Sequence, residues 1–137
     1  MRSVISWNVN GIRAVWKKDF PEWFKKEKPD FLCLQETKAH KEQLTEEQIS
    51  PEGYYSYWES AEKKGYSGLA VYSKEPCLEE RNLGKAEFDV EGRVQILEYE
   101  DFTLINTYFP NSQEKGKRID YKLAYCKEIL KLCKKIS

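Results

Sequence analysis

Histidine is almost absent from this sequence: His40 is the single one. The cysteines are Cys33, Cys77, Cys126 and Cys133. None of them forms a C-x-x-C pair, and His40 is not near any of them in sequence, so a zinc site is not expected. Net charge is lacking too, with 23 Lys and Arg against 23 Asp and Glu. That balance argues against a plain nucleic-acid coat, which would be basic overall. Long hydrophobic runs are missing: no stretch reaches the roughly 20 apolar residues that span a bilayer. There is no secretory leader pattern, internal repeat, linker or low-complexity segment, and no membrane partner is expected. Free thiols suit a reducing compartment, so a cytoplasmic location is expected.

What is present suffices for one folded unit. The chain has 137 residues and is 14% aromatic, and a chain of this length buries roughly 68% of its unfolded surface. Charge is unevenly placed. Residues 115–135 hold Lys115, Lys117, Arg118, Lys122, Lys127, Lys131, Lys134 and Lys135 against Asp120 and Glu128. Such a segment can approach phosphates, although a solvated helix face is the commoner meaning of lysines.

Hydrophobic periodicity supplies the elements. Residues 2–9 read as a strand with Val4, Ser6 and Asn8 on one face and Ile5, Trp7 and Val9 on the other. "DFPEWFKKEK" (19–28) reads as a short helix with Pro21 in its first turn. "PDFLCLQE" (29–36) is a strand apolar on both faces, hence buried on both sides. Residues 40–49 read as weakly helical. Residues 54–58, 68–73, 93–99 and 102–109 read as further strands, and 84–92 as a polar loop. Residues 118–135 form the strongest helix. There Ile119, Leu123, Cys126, Leu130 and Cys133 recur at helical spacing, with Tyr125, Ile129 and Leu132 beside them, and the two cysteines read as core. The order is that of a layered α/β fold.

Polar residues that break the pattern collect at strand ends. Asn8 and Asn10 follow the first strand, and Gln35, Glu36 and Lys38 the second. Tyr66, Ser67 and Gly68 open the fourth. Asn106 and Tyr108 share a face near the end of the sixth, with Asn111 beyond. Ligands in α/β sheets bind beyond strand ends, so these residues are expected to converge. A single carboxylate such as Glu36 suits Mg²⁺, which keeps several waters. Amides and a phenol donate to phosphate oxygens. Each residue also has an ordinary reading: Glu36 as a surface carboxylate, Asn8 and Asn10 as turn residues before Gly11, Tyr108 as a half-buried core tyrosine. Pattern alone gives a phosphate-handling α/β domain.

Six segments carry more. "SWNVNGIRA", "LCLQETK", "KKGYSGLAVYSK", "EGRVQILEY", "NTYFPNS" and "RIDYK" occur in that order. Together they resemble the exonuclease III type of apurinic/apyrimidinic endonuclease, within the wider group of metal-dependent endonucleases, exonucleases and phosphatases. The resemblance runs from Met1 to about Lys135. It implies that Glu36 binds Mg²⁺ or Mn²⁺, with Asn8 ordering the site beside it and Asn10 as a nearby metal or water contact. It implies that Tyr108 hydrogen-bonds the scissile phosphate and that Asn111 lies in a DNA-phosphate loop. Arg13, Tyr66, Ser67 and Arg118 are implied as backbone-contacting or supporting residues. DNA is the implied partner, and DNA repair by an endonuclease or exonuclease the implied role.

The same resemblance implies the fold: α/β, a mixed, mostly antiparallel sheet with outer helices, forming one half of a four-layer α/β sandwich. Residues 1–137 are expected to be the N-terminal half of such a domain, building mostly one sheet and leaving an apolar face open to a second chain or to self-association. The Gly-Asp-Phe-Asn and Ser-Asp-His motifs of the family do not occur here, so the chain is expected to be inactive alone. Two other readings stand beside this one. One is a non-catalytic module that dimerises and binds DNA phosphates. The other is a related metal-dependent phosphatase acting on lipid or inositol phosphates, against which "GYSG" and "TYFPNS" speak.

Overall fold

The computed structural model describes residues 2–110 and 119–136. The first strand, β1 (Val4–Asn8), pairs in parallel with β2 (Phe31–Gln35). Between them run α1 (Ile12–Trp16) and α2 (Phe20–Glu27). Pro21 sits in the first turn of α2, and Lys28 ends it in a left-handed conformation with its N–H on the Phe24 carbonyl. A 3₁₀ turn (Lys41–Gln43) and α3 (Glu46–Ile49) follow. Then come β3 (Tyr55–Glu59) and β4 (Leu69–Ser73), which complete a sheet ordered β1-β2-β4-β3. Next are β5 (Glu79–Arg81), α4 (Ala86–Asp89), β6 (Val94–Glu98) and β7 (Thr103–Thr107). These strands form a second, wholly antiparallel sheet ordered β5-β6-β7. The last element is α5 (Ile119–Ile136).

Alternation within strands stacks these elements in four layers. On β2, Leu32 and Leu34 face α1 and α2 and pack with Ile12, Phe20, Phe24 and Tyr72. Phe31 and Cys33 face the other way and meet Leu97 and Tyr99 of the second sheet. On β6, Val94 and Ile96 point outward onto Phe88, Tyr125 and Leu132. The expectation of mostly one sheet is therefore corrected: parts of both sheets are present, face to face, with helices outside each. The inner face expected to lie bare is largely covered. Its apolar exposure is concentrated at the edge, where Val4 remains 55% exposed.

Polar side chains pin the sheets together. Asn106 Nδ2 donates to the carbonyls of Leu34 and Ala70 in the first sheet, at 3.1 Å each, and to Gln95 Oε1 at 3.2 Å. Gln35 Nε2 donates to Asn106 Oδ1 at 2.9 Å and to Ser6 Oγ at 2.9 Å. A buried amide so completely paired fixes one alignment of the two layers, because sliding would strand its donors.

Helix α5 turns the Tyr125 and Leu132 side inward, and not the two cysteines expected as core. Tyr125 is fully buried and Leu132 nearly so, whereas Ile119, Leu123 and Leu130 are exposed. Cys133 is exposed and Cys126 half-buried, so of the four thiols only Cys33 is core; burial pushes it up to about 12. Residues 84–92 are not merely a loop, since α4 forms there around the fully buried Phe88. No described helix is long and apolar enough to cross a membrane.

The aromatic core makes the fold sensitive to alkali. Burial raises Tyr57 to about 12 and Tyr72, Tyr99 and Tyr125 still further. In the unfolded chain a phenol ionises near pH 10. Between these values the folded state keeps protons that the unfolded state has released. The contribution is therefore intact below about pH 10 and is lost as pH rises through the folded values. Urea midpoints are expected to be flat up to about pH 10 and to fall steeply above it. A midpoint unchanged to about pH 11 contradicts the burial of these phenols.

Candidate metal and phosphate site

Topology brings the polar strand ends to one place. Because β1 and β2 are parallel, Asn8 lies opposite Gln35 and the chain after each leaves on the same side. β4 is antiparallel to β2, so its start, with Tyr66, Ser67 and Gly68 just before it, is next to the β2 end. In the second sheet, the end of β7 lies beside the start of β6, which brings Tyr108 next to Arg93. The Tyr108 hydroxyl donates to Glu36 Oε1, and this bond joins the ends of the two sheets.

The backbone here is strained. Five described non-glycine residues have positive φ: Asn10 (48°), Lys28 (48°), Glu36 (54°), Lys38 (53°) and Ser67 (48°). Lys28 is a helix cap; the other four lie at this site. Left-handed backbone costs roughly 1–2 kcal/mol for a residue with a Cβ, and it persists where surrounding bonds over-determine it. Here Gly11 N–H donates to Glu36 O (2.7 Å), Ile12 to Thr37 O (2.9 Å), Thr37 to Gly68 O (3.1 Å) and Lys38 to Ser67 O (2.8 Å). The Glu36 carboxylate is thus held rigidly, with its side chain only 20% exposed.

Glu36 meets two partners. Besides Tyr108, its Oε2 lies 3.8 Å from Lys38 Nζ. The same ammonium donates to Asn10 Oδ1 at 2.6 Å. Burial, and the hydrogen bond and charge of Glu36, push the Tyr108 phenol up to about 12, while the Arg93 charge opposes them. Asn8 Oδ1 accepts the Asn10 N–H at 3.1 Å, so Asn8 shapes the turn that presents Asn10. Arg13 Nη2 donates to the Lys38 carbonyl at 3.2 Å and so braces the loop after Glu36. Tyr66 donates to Glu91 Oε1 and accepts from Arg93 Nη2, both at 3.0 Å. Ser67 is buried and serves through its backbone; its hydroxyl has no partner among the described residues. Asn111 and Arg118 lie outside the described residues.

The donor set can be tested against a divalent cation. The side-chain oxygens of Glu36 and Asn10 already converge on one positive group, the Lys38 ammonium. They are hard oxygens, the kind Mg²⁺ and Mn²⁺ take. Among the described residues no three His, Cys, Asp or Glu side chains cluster as a cage. The residues therefore fit an ion held by one carboxylate and water, and do not fit a closed all-protein site.

Sequence reading singled out neither Arg93 nor Glu91. Arg93 is 4% exposed, donates from Nε to Glu91 at 2.9 Å, and stacks its guanidinium over the Tyr108 ring at 4.9 Å. A charged residue at the start of an otherwise apolar strand was the available signal.

The sequence profile of the Endonuclease/Exonuclease/phosphatase family matches residues 5–133. The chain belongs to that family. The match takes in every strand end that builds this site. Among curated members, the chain is 46% identical over 129 residues to an exodeoxyribonuclease of Bacillus subtilis, covering 93% of this chain and 50% of that one. It is 44% identical over 122 residues to the DNA repair nuclease APEX1 of Danio rerio, covering 87% and 39% respectively. Among solved structures of the family fold, an AP endonuclease from Archaeoglobus fulgidus superposes with a TM-score of 0.81 at 30% identity, over 94% of this chain and 49% of that one. The chain thus spans about half the length, or less, of these relatives.

Proposed function

We propose that the chain supplies the metal- and phosphate-binding strand ends of a Mg²⁺- or Mn²⁺-dependent DNA-repair phosphodiesterase, cutting DNA at abasic sites or 3′ ends. The Tyr108–Glu36 bond carries this reading, because it sets a carboxylate beside a phosphate donor where the two sheets meet. The names of the relatives, an exodeoxyribonuclease and a DNA repair nuclease, support DNA as substrate.

Glu36 holds the ion, which supplies Lewis-acid polarisation of a phosphoryl oxygen when bound. Asn8 and Asn10 order the loop at its side. The Tyr108 hydroxyl turns from Glu36 to donate to the scissile phosphate. Asn111, Arg118, Tyr66, Ser67 and Arg13 contact the DNA backbone or brace the residues that do.

Hydrolysis also needs a positioned water, a base and help for the leaving group. His40 does not serve: it caps the 3₁₀ turn and its Nδ1 lies 3.5 Å from Glu42. The 137-residue chain by itself is therefore expected to cut abasic-site DNA far more slowly than the roughly one per second and above of typical enzymes. Adding a second polypeptide that carries the other half of a relative is expected to raise the rate. A second reading, a non-catalytic module binding DNA phosphates, is favoured by the want of a closed cage of metal ligands among the described residues. It predicts retention of DNA with no cleavage under any supplementation. Self-association, the other expected partnership, is read by light scattering on the same sample, with Val4 at the sheet edge as the apolar surface left to support it. A monomer that nicks abasic-site DNA at enzymatic rates overturns both the incompleteness and the association.

A further inference from the structure

We propose that Arg93 is the positioning residue of this site, holding Tyr108 where its hydroxyl meets Glu36. The proposal rests on the reading of Glu36 and Tyr108 as site residues given above.

Arg93 fixes Tyr108 in three ways. Tyr108 N–H donates to the Arg93 carbonyl at 3.0 Å. Arg93 Nη1 donates back to the Tyr108 carbonyl at 3.2 Å. The guanidinium face lies 4.9 Å from the centroid of the Tyr108 ring. Backbone and ring of one tyrosine are thus set by one arginine, on the neighbouring strand of the same sheet.

The arginine is itself held. Its Nε and the Tyr66 hydroxyl both donate to Glu91 Oε1, at 2.9 and 3.0 Å, and its Nη2 donates to the Tyr66 oxygen at 3.0 Å. The Tyr125 hydroxyl, fully buried, donates to the Arg93 carbonyl at 3.0 Å. The network therefore ties the segment before β4, the start of β6 and helix α5 to the residue that touches Glu36. The two bonds to the Arg93 carbonyl are made to the main chain and are independent of the side chain; the bonds to Glu91, Tyr66 and the Tyr108 carbonyl and the stacking on the ring need an arginine. Its planar fork offers donors in several fixed directions while its face stays free to stack, whereas a lysine ammonium is a point charge. A charge buried at 4% exposure without those partners would be costly.

The test reads Glu36, which Arg93 does not touch. With ¹³C-labelled glutamate in the 137-residue chain, the Glu36 carboxyl resonance reports the bond from Tyr108. Tyr108→Phe defines the shift that follows loss of that bond. Arg93→Lys is expected to move the Glu36 resonance to the same place, and the double variant to move it no further, because both act on one contact. Resonances of Glu22 and Glu47, remote in the fold, are expected to stay put. If Arg93→Lys does not fold, Tyr66→Phe, which removes one partner of the guanidinium, is expected to give a smaller shift in the same direction. A Glu36 resonance unmoved in the folded variant, or a shift that persists in full on the Tyr108→Phe background, overturns the proposal. Mn²⁺ added to the unaltered chain forms a separate arm. Failure of Mn²⁺ to broaden Glu36 counts against the metal reading alone, and the metal-free comparison still decides the role of Arg93.

Discussion

Glu36→Gln is expected to abolish the binding of Mg²⁺ or Mn²⁺ to this chain, weakening it by about 100-fold or more. Even residues that only support a metal ligand are worth about 10–100-fold, and Glu36 is the carboxylate that meets both the Tyr108 hydroxyl and the Lys38 ammonium. Glutamine has the same length and its Oε1 still accepts the Tyr108 hydroxyl, so the bond that joins the sheet ends survives. Its amide nitrogen, in place of Oε2, then faces the Lys38 ammonium without the charge that made 3.8 Å an ion pair. A pair this long, with the Lys38 end open to water, contributes no more than about 1 kcal/mol, so the variant is expected to fold as before. Binding by the native chain is itself expected to be weak, on the order of millimolar, since one carboxylate and water make a loose site. Titration calorimetry or Mn²⁺ spin resonance on both chains makes the measurement. Equal responses remove Glu36 from the metal site.

Gly92→Ala is expected to cost about 3 kcal/mol or more and to lower the melting temperature by about 10 °C. Gly92 has φ of 57°, and a Cβ there would lie 2.7 Å from the backbone at both Ala61 N and Ser60 C, and 3.0 Å from Glu59 O. Those atoms belong to the chain leaving β3 and cannot swing aside as a flexible side chain would. The strain falls one residue before Arg93, so the damage is expected to reach Tyr108 as well. Gly53 is the control. Its φ is 86°, but nothing lies within 4 Å of the position, so Gly53→Ala carries only the backbone cost of about 1–2 kcal/mol. Equal urea midpoints for the two variants would show that the close approach at Gly92 does not matter.

How far the sequence revealed these features depended on the kind of signal. β2 was legible because every residue from Phe31 to Leu34 is apolar, which only burial on both faces explains. β5 was not: Glu79, Glu80 and Arg81 are all charged and exposed, so no apolar alternation marks them, and beyond the backbone ladder it is Arg81 that reaches β6, donating to Glu98 Oε1 at 2.6 Å. α4 hid because one aromatic, Phe88, anchors a turn whose other residues are polar or small. Periodicity also fails where a helix has two apolar stripes. In α5 the Ile119–Leu123–Leu130 stripe is the more regular, yet Tyr125 and Leu132 were chosen, because Tyr125 brings a hydroxyl that the Arg93 carbonyl needs. Spacing gives faces of strands but not which strands pair; the expectation of mostly one sheet came from the family resemblance, and the observed order β1-β2-β4-β3 beside β5-β6-β7 corrects it. At the site, the meeting of Glu36 and Tyr108 followed from their places at strand ends. Arg93 was missed because an arginine at a strand start ordinarily lies in water, and only its partners from three separate segments make burial tolerable.

Strand β1 has a neighbour on one side only among the described residues, while β2 and β4 are flanked on both. The ladder hydrogen bonds of β2 and β4 therefore open only with much of the first sheet, whereas β1 separates from β2 alone. Amide hydrogen exchange should be slowest at Leu32–Leu34 and Ala70–Tyr72 and faster along Val4–Asn8. Asn8 and Asn10 ride on the strand that opens first, and Glu36 on one that opens late. The carboxylate is a fixed post, and the amides beside it form a rim that yields. If Glu36 holds an ion, as proposed, the Lys38 ammonium that now donates to Asn10 would have to move aside for it, and the ion's arrival and departure would be set by how often the edge strand breathes.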